Sequence, residues 1–152
     1  MGHYASDTRV SPERTQDEIR ATLRRYGADK FGTLESRQST AIGFEISGLT
    51  IRITVDVPSE NDPAFLSTPT GRERKGGAAY AAWEQAIRQR YRALLLAIKA
   101  KLEAVECGIS TIEQEFMPFV VLPNGKTIAE MVLPKLMEAS KSGKLPPMLM
   151  AL

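Results

Sequence analysis

Tyr80, Trp83, Ile87, Tyr91, Leu94, Ile98, Leu102 and Val105 recur every three or four residues. On a wheel of 100° per residue they form one apolar stripe. That spacing predicts a single helix from about Ala78 to Glu106, on the order of 40 Å long at 1.5 Å per residue. Arg88, Arg92 and Lys99 line one margin of the stripe, with Leu95 among them, while Arg90 and Lys101 lie near the other. Gly108 supplies the stop.

A helix with so much apolar surface needs something to cover, and the preceding segment provides it. Leu49, Ile51, Ile53, Val55 and Val57 alternate with Thr50, Arg52, Thr54 and Asp56. Ile42, Phe44 and Ile46 alternate with Gly43 and Glu45. Both runs have the period of two that belongs to strands with one buried face. Ser47–Gly48 between them suits a hairpin turn. Residues 31–38 offer a further strand, with poor alternation. The expected fold is therefore α+β: a small antiparallel sheet (hairpin 41–57) covered by one long helix (about 78–106), with short C-terminal helices.

Other signals fill in the order. Ser11 and Pro12 open a first helix whose face carries Ile19, Leu23 and Tyr26, with Gly27 as its stop. Residues 58–77, rich in Pro, Gly, Ser and Thr, read as a long connection. Ser110 and Glu113 have capping-box spacing, as do Thr127 and Glu130; each pair opens a short helix, the second running toward Lys141. Residues 1–10 are expected to be a flexible or loosely docked arm, 11–144 a single domain, and 145–152 an apolar tail. No run is apolar enough to span a bilayer, no signal-peptide core opens the chain, and Cys107 has no partner for a disulfide. These features suggest a cytoplasmic protein.

Chemistry is sparse. The one histidine, His3, lies in the arm and makes neither a zinc site nor a catalytic triad. Cys107 lies at the negative end of a helix, which disfavours a thiolate, so a packed, inert thiol is expected. The stretch 71–78 has the glycines of a phosphate-binding loop but carries Gly77 and Ala78 where Lys and Ser or Thr belong. We expect no enzyme, no cofactor and no metal.

Charge is uneven. Residues 71–101 hold eight Lys and Arg against two Asp and Glu, within a chain of net charge +2. Arg72, Arg74, Lys75, Arg88, Arg92 and Lys99 are the candidate phosphate contacts, and Tyr80, Trp83 and Tyr91 can either stack on bases or lie in the core. The leading expectation is a nucleic-acid-binding protein, with single-stranded DNA in replication or recombination as one setting. The alternative is a protein-interaction module, an inhibitor or adaptor of a host protein. Phe116, Phe119, Met148 and Met150 are candidates for its surface. A two-stranded sheet is marginal alone, so a homodimer through sheet edges or the long helix is expected, which would double the basic patch.

Three segments together resemble a group of small phage and prophage proteins without an assigned activity. They are Tyr4-Ala5-Ser6-Asp7-Thr8 leading into the helix that ends Arg25-Tyr26-Gly27-Ala28; the run F-L-S-T-P-T-G-R at 65–72; and 99–119 continuing to Leu122-Pro123-Asn124-Gly125-Lys126-Thr127. The resemblance implies expression inside a bacterial host cell and supplies no site residues.

Overall fold

A computed structural model describes residues 3–144. In chain order these form α1 (Pro12–Arg25), β1 (Asp29–Glu35), β2 (Ser39–Ile46), β3 (Leu49–Asp56), α2 (Pro63–Leu66), α3 (Ala78–Glu106), α4 (Ile112–Phe116), a 3-10 turn (Met117–Phe119) and α5 (Ile128–Ser142). The expected α+β architecture is present, and the sheet has a third strand, in the order β1-β2-β3.

The β2–β3 hairpin pairs Ile46 with Leu49 across Ser47–Gly48. Both turn residues have positive φ, 51° and 76°, as a two-residue primed turn requires. Along β2 every second side chain is buried: Thr40, Ile42, Phe44 and Ile46. Ile51 and Ile53 of β3 share that face. Strand β1 shows no such alternation: Phe31 is half-buried, the rest of the strand is exposed, and Leu34 is 75% exposed.

Helices α1 and α3 pack side by side over the buried face. Ile19 and Leu23 come from α1; Leu95, Ile98 and Leu102 come from α3. The buried line of α3 runs through Tyr91, Leu95, Ile98 and Leu102. Leu95 thus lies at the centre of the contact, while Leu94 and Val105 are half-buried. Phe116 of α4 completes the core with its ring edge-on to Phe44 at 5.8 Å. Tyr26, capping α1, donates its hydroxyl to Glu106 at 2.5 Å and ties the ends of α1 and α3 together.

The arm lies against α3 where it is described: Gln85 Nε2 donates to the carbonyls of Ser6 and Thr8, and Gln89 Nε2 to that of Tyr4. Two local expectations are corrected. Helix α4 is capped one residue later than the Ser110/Glu113 spacing suggests. Thr111 accepts from the Gln114 amide and Gln114 returns the bond, while the Ser110 hydroxyl is taken by Glu115. Phe116 is a core residue with no exposed surface for a partner. Met148 and Met150 lie outside the described residues.

Beyond β3, Val121 donates its amide to Thr50 and Val120 bridges Ile51. A tight turn through Asn124 and Gly125 leads to Thr127, which caps α5. No described helix is long and apolar enough to cross a membrane.

Candidate functional site

The six cations singled out in the sequence do not form one surface. Three are engaged inside the chain. Arg74 donates to the carbonyls of Ala64 and Phe65, both at 3.1 Å, and so satisfies the end of α2. Arg88 donates to Gln85 Oε1 at 2.8 Å and orients the amide that holds the arm. Arg92 pairs with Glu18 of α1 at 2.9 Å, with its side chain 19% exposed. The other three, Arg72, Lys75 and Lys99, are exposed and make no ion pair among the described residues. Arg72 and Lys75 precede α3, whereas Lys99 stands 21 residues beyond its first residue, Ala78, about 32 Å along the helix. There Lys99 lines a groove of about 410 Å³ with Arg25, Tyr26, Glu103 and Glu106, a mixture of both signs.

The aromatic residues divide. Tyr91 is buried, and its hydroxyl donates to Thr40 Oγ1 at 3.1 Å. Trp83 is half-buried and donates its indole N–H to the Pro58 carbonyl at 2.8 Å, which fixes the chain leaving β3. Tyr80 stays about half exposed beside it, ring centroids 5.3 Å apart.

Cys107 is exposed, which corrects the expectation of a packed thiol. Its hydrogen bond to Glu103, and then the negative charge of that carboxylate, push its pKa up. The thiol is therefore kept protonated and a poor nucleophile. Among the described residues no three His, Cys, Asp or Glu side chains stand together as a metal site would need.

The most unusual surface belongs to α5. Locally this helix is well specified. Thr127 Oγ1 accepts from the Glu130 amide, and Glu130 accepts from the Thr127 amide at 2.6 Å in return. Gly143, at φ 67°, closes the other end in the left-handed conformation. Glu130 also pairs with Arg52 of β3 at 2.9 Å. These hydrogen bonds to the carboxylate, the Thr127 amide foremost, hold the Glu130 pKa below the ordinary carboxylate range.

Burial is another matter. None of the fifteen residues of α5 is buried. Ile128, Ala129, Met131, Val132, Lys135 and Ala139 are half-covered, most of them on the side that rests against the 3-10 turn. A second apolar strip points away: Leu133 is 56% exposed, Leu136 42% and Met137 61%. Pro134 lies within the helix, where it removes one backbone bond at a cost of about 3 kcal/mol. Most helical stability in proteins comes from tertiary packing of an apolar face, and this fifteen-residue helix bears an internal proline besides. Capping contributes about 1 kcal/mol and does not offset that cost. The chain thus presents a helix whose stability calls for apolar contacts that its described residues do not supply.

The Thr127/Glu130 spacing revealed where α5 begins, but nothing in the sequence marked its outer face as uncovered. No family model matches the chain, and neither a curated protein nor a solved structure is similar to it.

Proposed function

We propose that the chain is a non-enzymatic protein-interaction module and that α5 is its binding element. The observation that carries this reading is the strip of Leu133, Leu136 and Met137, exposed on a helix with no buried residue. A capped amphipathic helix laid into an apolar surface is a common mode of protein recognition, read through anchors at i, i+3 and i+4. Leu133, Leu136 and Met137 have that spacing. Replacing Met137 with a photo-reactive phenylalanine analogue tests the reading inside expressing bacteria. Irradiation is expected to give a discrete protein adduct that survives nuclease treatment and disappears when Leu136→Glu is added. If no adduct forms at position 137 while a control at buried Leu102 crosslinks within the chain, α5 is not a protein-binding element.

A second reading, nucleic-acid binding, is favoured by Arg72, Lys75 and Lys99, which are exposed without carboxylate partners among the described residues. The salt dependence is its test. Three phosphate contacts give a slope of log affinity against log salt of about −2 for single strands, and all six cations would give about −4. Anisotropy of labelled single- and double-stranded DNA at low salt measures it. Absence of binding at micromolar protein removes this reading.

A further inference from the structure

We propose that the occupant of the α5 surface is a second copy of the same helix, packed antiparallel in a two-fold dimer. The inference rests on the reading of α5 as the protein-binding element, and it names the partner.

The outer face of α5 is self-complementary in shape. Leu133, Leu136 and Ser140 are exposed and Ala129 is half-covered; the four follow a 4-3-4 spacing, which places them along one seam of the kind that packs two helices together. Small residues stand at both ends and large ones in the middle. In an antiparallel pair centred between Leu133 and Leu136, each leucine meets the other from the second copy. Ala129 then meets the partner's Ser140, so small residues face small ones and the two helices approach evenly. Met137 flanks the seam and folds over its margin.

Charge selects the same orientation. Glu130 stands in the first turn of α5, and Lys141 and Lys144 stand at its far end. Antiparallel packing places each Glu130 near the partner's Lys141 and opposes the two helix dipoles. Parallel packing would set Glu130 against Glu130 and Lys141 against Lys141. Arg52 already fixes Glu130 from the sheet side, so the carboxylate is held before a partner arrives. A two-fold axis through the seam satisfies both copies with one patch. This differs from dimerisation through sheet edges or the long helix: the buried line of α3 is covered within the chain by α1 and the sheet.

Light scattering of the full chain across a hundredfold dilution reads the mass. The wild type is expected to be a dimer that dissociates on dilution. Leu136→Glu is expected to weaken it at least a hundredfold, and Lys141→Glu several-fold at low salt. Orientation is read in a Cys107→Ser background. Ala129→Cys mixed with Ser140→Cys should form a disulfide-linked pair under mild oxidant, while Ser140→Cys alone should not. A chain that is monomeric at high micromolar concentration overturns the proposal. If that monomer still gives an adduct at position 137 with a different protein, the interaction reading stands and only the partner was wrong. If it gives none, and the α5 amides exchange as slowly as those of α3, the chain covers its own helix and both readings fall. Self-linkage of Ser140→Cys alone would overturn the antiparallel arrangement.

Discussion

Helices α3 and α5 reverse each other's means of support. Helix α3 starts at Gly77 with no side-chain cap, yet it buries Tyr91, Leu95, Ile98 and Leu102. Helix α5 has a reciprocal capping box and a left-handed glycine stop, yet none of its residues is fully buried. Capping decides where a helix begins and ends. Burial decides whether it persists, because each large apolar side chain removed from water contributes roughly 1.5–3 kcal/mol. One of these helices is therefore scaffold, and the other, on the proposed function, is the element that a partner would cover.

The largest effect should come from the scaffold. Leu102→Ala removes a fully buried side chain and is expected to cost about 2–5 kcal/mol of global stability. Leu136→Ala in α5, assayed in dilute solution, is expected to change it by less than about 0.5 kcal/mol. Urea unfolding of both variants measures the difference. Equal losses would mean that α5 is as integral to the fold as α3.

Local support should show the opposite ranking. Thr127→Ala removes the cap of α5 and is expected to cost that helix about 1 kcal/mol. The cost should appear as faster amide exchange confined to residues 128–142, with the core amides unchanged. Gly77 has φ −76° and open space where a Cβ would stand, so in Gly77→Ala the weaker N-cap preference of Ala is offset by its lower unfolded-state entropy, and the variant is expected to lie within about half a kcal/mol of the native protein. A global change on Thr127→Ala would show that α5 and the core unfold together.

The smallest difference concerns pH. The Glu130 pKa lies below its ordinary value, so its contribution is present at neutral pH and above about 4.3, the unfolded value. It is lost as pH falls through the lower folded-state value. Between pH 7 and pH 3 the first turn of α5 is expected to fray before the first turn of α3, which no carboxylate caps. Amide exchange at residues 128–131 and 78–81 measures this. Simultaneous fraying would mean that the carboxylate does not govern the α5 terminus.

Sequence patterning revealed the elements whose support is periodic or local. The α3 stripe located the helix, and Gly108 just past its end marked the stop. The Ser47–Gly48 turn and the Thr127/Glu130 box were legible because each is a contact within four residues. Strand β1 was obscure because it is an edge strand with no buried face to impose alternation. At α4 two capping registers lie one residue apart, and sequence alone does not choose between them; Glu115 claims the Ser110 hydroxyl and leaves Thr111 as the cap. The fate of the cations was equally hidden. Arg92 meets Glu18 from 74 positions away, and Arg74 meets carbonyls that exist as acceptors only because α2 ends there. The bare face of α5 is a tertiary fact too, since amphipathic spacing shows which side is apolar and not whether anything covers it.

Amide hydrogen exchange of the full-length chain at two concentrations, micromolar and a hundredfold higher, tests the central contrast directly. The amides of α3 residues 91–102 are expected to exchange slowly and identically at both concentrations. Those of α5 residues 131–142 are expected to exchange near the unprotected rate when dilute and to gain protection at least tenfold when concentrated. Slow exchange of α5 in the dilute sample would contradict the claim that this helix lacks its own cover, and equally fast exchange at both concentrations would contradict the claim that a second copy supplies it.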